Sequence, residues 1–223
     1  LSKDLTIGKA NGFVIVEKST MSLSYPATGT NTVTSNHGGT LTVSSSSTSI
    51  ATVEINGTTI TVKSGTTQGT ATITVTCAGT SNYNQATATF QVTVSSGGIA
   101  YSSSGYTGTY DGKTHGITVT TSTSGATIKY GTASGTYNLT NNPTYTNAGE
   151  YIVYFQITAS GYATVTGSEK VVINKAKLTV TADNKTMTYG GSAPTYSVSY
   201  SGFVNGETAS VLGGTLAYTT KNS

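Results

Sequence analysis

The stretch Ala51-Thr-Val-Glu-Ile-Asn-Gly-Thr-Thr-Ile-Thr-Val-Lys63 decides how the rest of this chain is read. Ala51, Val53 and Ile55 alternate with polar residues, and Ile60 and Val62 resume the alternation after Asn56-Gly57. Apolar residues at every second position put one face of a strand toward a core. Asn-Gly between two such runs supplies positive φ and predicts a hairpin closed by a type I′ turn. The same period governs the other apolar runs. Ala88, Phe90, Val92 and Val94 share a face in residues 86–94, as do Tyr151, Val153, Phe155 and Ile157 in 149–159. Ile152 and Tyr154 make the opposite face of that last strand apolar too, so part of it should be covered. No run has helical period. Turn signals recur at Asp111-Gly112, Gly190-Gly191 and Asn205-Gly206. Many short strands between such turns predict an all-β chain of tandem immunoglobulin-like β-sandwiches with no significant helix.

Composition agrees with strands and argues against several functions. Charged residues make up 9% of the 223 residues, against about 25% in ordinary soluble domains. Thr and Ser take their place, and Thr suits outward strand positions. The net charge of +3 forms no basic stripe, so neither nucleic acid nor an anionic membrane is an expected partner. No stretch is long enough to cross a bilayer as a helix. The single cysteine, Cys77, excludes an intrachain disulfide. It shares a face with Ile73 and Val75 and reads as a small buried hydrophobe.

The boundaries between units are legible as well. Leu5 to Ala10 (LTIGKA) and Val171 to Ala176 (VVINKA) are near copies, each an alternating strand that ends in Lys-Ala. The second runs directly into Lys177–Gly190, the opening strand of another unit. The first is therefore expected to be the terminal strand of a preceding domain over residues 1–9. Ser95 to Gly98 reads as a short link. The expected units are 10–96, 97–175 and an incomplete one over 176–223, with any targeting segment lying upstream.

Residues 10–96 resemble the bacterial Ig-like group 2 family. The resemblance is carried by the Ser-rich run before Ile50-Ala51-Thr52-Val53, the Asn-Gly hairpin, Gly69-Thr-Ala-Thr-Ile-Thr-Val75, and Tyr83 before the last strand. Residues 97–175 resemble a related bacterial Ig-like repeat through Tyr110–Val119 and Tyr145–Tyr162. Residues 176–223 resemble the start of an MBG-type surface-protein domain through Leu178–Gly214. These resemblances imply repeats of large secreted or surface proteins, a module type also found on phage particles, and they imply no catalytic residues. Tyr151, two residues before Val153, stands where Ig domains place a corner tyrosine ahead of the disulfide cysteine. With Val153 at the cysteine position, that core should rest on aliphatic packing.

Candidate chemistry is sparse. His37 and His115 lie beside glycines in separate units and read as solvated loop residues. One cysteine and two scattered histidines cannot assemble a zinc site within a unit. The eight acids lack the spacing of a calcium loop, and a calcium site at a domain junction, for example with Asp183, is not expected. Lys129 is out of phase with its apolar neighbours and should face solvent, which disfavours an isopeptide bond. No catalytic, cofactor-binding or metal-binding residue is expected, and no cofactor. Fifteen tyrosines with no tryptophan, nine of them between Tyr101 and Tyr162, read first as strand formers and second as a platform for glycans.

The expected function is a non-catalytic spacer or display stalk, extracellular and on a bacterial surface. The alternatives are a decoration or fibre of a phage virion, or accessory repeats of an extracellular hydrolase. The expected partners are neighbouring Ig-like domains of the same chain, then surface glycans or proteins. Self-assembly by donation of the strand Leu1–Lys9 between copies is a further possibility.

Overall fold

The computed structural model describes residues 7–219. They are all-β apart from one turn of 3-10 helix at Ala209–Val211. Of the strand expected over 1–9, residues 1–6 lie outside the described residues. Ile7, Gly8 and Lys9 are exposed and not in a strand. Among the described residues the first pairing comes at Ala10, whose N–H donates to Asn82 O at 2.8 Å in an isolated parallel bridge with Tyr83.

Eight strands follow: β1 (Val14–Val16), β2 (Thr20–Ser24), β3 (Thr28–Ser35), β4 (Leu41–Ser45), β5 (Ala51–Asn56), β6 (Thr59–Ser64), β7 (Gly69–Cys77) and β8 (Ala86–Ser95). They form two four-stranded sheets, β1-β3-β6-β5 and β2-β8-β7-β4. In immunoglobulin lettering these are A-B-E-D and A′-G-F-C, the arrangement of an Ig-like sandwich with its first strand split between the sheets. The A′ strand runs parallel to G, with Thr20 opposite Gln91 and Ser24 opposite Ser95. The alternation read from the sequence fills the space between the sheets. Ala51, Ile60, Val62, Ala71, Ile73, Val75, Phe90 and Val92 are buried in one cluster with Cys77. Outward threonines pair across strands, Thr70 Oγ1 lying 3.1 Å from Thr93 Oγ1.

The hairpin forms between β5 and β6, but its turn sits one residue later than predicted. Asn56 pairs with Thr59 as the last rung of the ladder, which leaves Gly57-Thr58 as the two-residue loop. Only Gly57 is left-handed, at φ 58°, the signature of a type II′ turn rather than I′. The observed register pairs Val53 with Val62 and Ile55 with Ile60; a loop at Asn56-Gly57 would keep the same faces inward but set Ile55 opposite Thr58 and lose that apolar cross-strand pair.

A second set of strands repeats the plan: β9 (Tyr101–Ser104), β10 (Tyr106–Thr109), β11 (His115–Gly116), β12 (Thr118–Thr121), β13 (Thr127–Gly131), β14 (Thr144–Tyr145), β15 (Gly149–Thr158) and β16 (Val165–Asn174). One four-stranded sheet has the order β10-β16-β15-β13, again A′-G-F-C. Its A′ strand is parallel to G, with Tyr106 opposite Val171. The other sheet is reduced to two pairs, β12-β9 and β11-β14. Val153, Phe155, Val171 and Ile173 are buried. On the opposite face of β15, Tyr154 is half-buried and Ile152 is exposed. Beyond them, β17 (Thr179–Ala182) and β18 (Val198–Ser201) form one antiparallel pair.

The described chain gathers into two compact units. The first holds the residues up to Tyr101 with 121–127 and 157–165; the second holds 102–120, 128–156 and the residues from Thr166 onward.

Candidate functional site

The corner tyrosine lies where β15 begins. Tyr151 Oη donates to Asn147 O, four residues upstream, at 3.1 Å. That bond ties the strand start to the turn before it, as a tyrosine corner does. The ring also stacks on Tyr145 at 3.9 Å between centroids, 9° from parallel. Val153 is fully buried, with no cysteine partner to replace. Cys77 is fully buried on β7, its thiol donating to Gly39 O at 3.4 Å.

Both histidines depart from the expected solvated loops. His37 is only 8% exposed. It stacks on Tyr83 at 5.6 Å, and its Nδ1 lies 2.9 Å from Asn36 Oδ1. Its Nε2 is buried without a hydrogen-bond partner. His115 belongs to β11 and lies flat against Tyr106, centroids 3.9 Å apart. In both cases a ring of the same module covers the imidazole, which flanking glycines in the sequence do not reveal.

A polar cluster surrounds His115. Its Nε2 lies 2.9 Å from Asp111 Oδ1 and 3.2 Å from Tyr106 Oη. His115 holds the Asp111 carboxyl below the usual carboxylate range, helped by the Lys113 backbone N–H donating to it. An acid-histidine relay needs the acid on one ring nitrogen and the reacting hydroxyl on the other. Here both partners meet Nε2, so this cluster ties the turn after β10 to β11. Next to it, Tyr110 Oη donates to Glu207 Oε1 at 2.5 Å. The bond to that carboxylate pushes the phenol above its ordinary value.

Asp183 accepts hydrogen bonds from the Ser197 and Ser199 hydroxyls. Those two donors keep its carboxyl low and occupy both oxygens. Among the described residues no group of three or more His, Cys, Asp or Glu could hold a metal ion, and Lys129 is exposed.

Two residues with structural weight carry no motif. Asn31, 1% exposed on β3, accepts from the Lys18 and Thr32 N–H groups at Oδ1 and donates to Lys18 O through Nδ2. Its only signal in the sequence is a polar residue in phase with inward-facing Val33. Tyr25 follows β2 and meets Tyr162 edge-on at 5.2 Å.

Residues 178–223 match the MBG domain (YGX type). No curated protein matches the chain. Among solved structures, similarity extends to a chimeric titin Z1Z2 functionalized with a KLER exogenous peptide from decorin (10% identity, 75% of this chain and 99% of that one, TM-score 0.28). It extends also to the Yersinia pseudotuberculosis adhesin InvE (13% identity, 72% and 58%, TM-score 0.30) and to human mucin-like protocadherin EC1-2 (10%, 73% and 98%, TM-score 0.30). At such scores the likeness carries no argument, and the Ig-like assignment rests on the two A′-G-F-C sheets. The family match belongs to residues 178–223 alone, the segment that holds β17 and β18.

Proposed function

We propose that this chain is a non-catalytic run of serial Ig-like modules, 10–96 and 97–175 followed by an MBG module from 176, serving as a spacer in a protein displayed on or secreted from a bacterial surface. One observation carries the reading: the same A′-G-F-C strand order is built twice in succession and leads into a segment that matches the MBG domain. The hydrogen bonds of Asp111, His115 and Asp183 support it, because they join turns and strands of the fold. Low charge suits a surface whose interactions change little with salt. The partners under this reading are the adjoining modules, and no cofactor is needed.

The experiment is protease treatment of intact producing cells, with mass spectrometry of what is released. Peptides of this chain should appear before lysis. Their protection until lysis would refute display. Hydrolysis of a glycan or peptide by the purified chain would refute the non-catalytic part separately.

A further inference from the structure

We propose that Tyr25 and Tyr110 are one device used twice: a clamp at the end of each sandwich that receives a turn of the module that follows. The partner of this surface is the next module of the same chain, so the inference rests on the serial-module reading above.

The two tyrosines occupy equivalent places. Tyr25 directly follows β2 and Tyr110 directly follows β10, the A′ strands of the two sandwiches. Tyr25 N–H donates to Ser95 O at 3.0 Å, and Tyr110 N–H donates to Asn174 O at 2.8 Å. Ser95 and Asn174 are the last residues of the two G strands. Each tyrosine is thus fastened by its backbone to the point where the chain leaves its module, with the side chain left to reach the next one.

Each side chain does so. The Tyr25 ring meets Tyr162 edge-on, and a Cβ on Gly161 would stand 2.5 Å from Tyr25 Cδ1. Gly161 and Tyr162 lie in the connection between β15 and β16. That connection is also tied to the link: Gly97 N–H donates to Gly161 O at 3.0 Å, and Ala163 N–H donates to Gly97 O at 2.9 Å. At the second clamp, Tyr110 Oη donates to Glu207, and a Cβ on Gly112 would stand 2.5 Å from Asn205 Cβ. Asn205 and Gly206 both have positive φ, so a tight turn is what the clamp holds. The grip is aromatic in one case and a charged hydrogen bond in the other, but the placement is the same.

Packing distinguishes the two clamps. Gly97 is buried, and a Cβ there would lie 1.9 Å from Tyr25 O, a backbone atom. No side chain can stand at that position while the clamp is closed. The matching position after Asn174 is Ala176, and there Tyr110, Ala176, Phe203 and Glu207 line a cavity of about 350 Å³.

The test compares Gly97→Ala with Gly98→Ala in the full chain. A Cβ on Gly98 has nothing within 4 Å, so that variant stiffens the link without touching the clamp. Amide hydrogen exchange is read at Ala163, with amides of β7 and β8 as the control for folding. We expect Gly97→Ala and Tyr25→Ala to speed exchange at Ala163 about tenfold, with Gly98→Ala unchanged. Tyr162→Ala removes the contact from the other side and should do the same, even if a variant in the first sandwich fails to fold. For the second clamp, Tyr110→Phe should alter the residual dipolar couplings of β17 and β18 while those of β15 and β16 stay as they were. Unchanged exchange at Ala163 in Gly97→Ala and Tyr25→Ala, equal acceleration by Gly98→Ala, or unchanged couplings in Tyr110→Phe would overturn the clamp. None of these results depends on where the protein is displayed, so clamp and display fail separately.

Discussion

Replacing Asn31 with alanine should unfold the first sandwich at distinctly lower denaturant. The side chain makes three hydrogen bonds, accepting from the Lys18 and Thr32 N–H groups at 3.0 and 2.9 Å and donating to Lys18 O at 2.9 Å. At a net worth of about 1 kcal/mol each, they sum to about 3 kcal/mol. Unpaired peptide groups would add to that, but Lys18 is exposed and water can reach part of its backbone. The expected loss is therefore about 2–4 kcal/mol. The bonds hold the crossing from β1 to β2 against β3, so the split of the first strand between two sheets depends on them. Asn31→Asp is the sharper companion. It keeps the acceptors but sets a carboxylate against Lys18 O in a buried site, which raises its pKa. An acid raised in the folded state contributes stability at low pH and loses it as pH rises, so this variant should recover part of its stability below neutrality. The assay is urea unfolding followed by NMR at the methyl signals of Val62, Val75 and Val92. A bulk signal would mix modules that need not unfold together. A loss under about 1 kcal/mol for Asn31→Ala would refute the reasoning.

Other outcomes follow from the same geometry. Tyr151→Phe keeps the stack on Tyr145 and loses the bond to Asn147 O; unfolding of the second sandwich should shift by about 1 kcal/mol, and no shift would remove the corner from its supports. Gly57→Ala has open space for the methyl but must hold φ 58°, so it should cost about 1 kcal/mol or more. Asn56→Thr at the neighbouring position should be tolerated, because Asn56 is a strand residue; the reverse order of costs would restore a type I′ turn. An NMR titration should place the Asp111 carboxyl below its ordinary value, with His115→Ala returning it upward, since His115 is the leading cause. The sign follows from the depression: the stability Asp111 contributes is full above the unfolded carboxylate value and is lost as pH falls through the folded one.

Legibility in the sequence tracked how far each feature depends on neighbours along the chain. Strand faces were readable because alternation is local: Phe90, Val92 and Val94 point inward as their spacing requires. The turn at Gly57 was misplaced by one residue because its type depends on which residues pair across the hairpin, and Asn56 is taken up by Thr59. The environments of His37 and His115 were not readable at all. The rings that cover them, Tyr83 and Tyr106, are fixed by tertiary packing and not by the adjacent glycines. Asn31 was visible in principle as a polar residue in phase with Val33, a conflict between pattern and burial that only a partner such as Lys18 explains. The tyrosines after β2 and β10 each precede a turn, at Tyr25-Pro26 and Tyr110-Asp111-Gly112, and that shared context was the one signal available for them.

The parallel pairing of the A′ and G strands has a mechanical consequence. Once tension applied along the chain reaches β2, it pulls that strand and β8 in opposite directions along their common axis. The rungs from Thr20–Gln91 to Ser24–Ser95 are then loaded together, in shear, rather than opened one at a time from an end. β10 and β16 repeat the arrangement from Tyr106–Val171 to Thr109–Asn174. A chain built this way resists extension at the A′ and G strands of each sandwich, while the hydrophobic interior between its sheets stays largely out of the line of load.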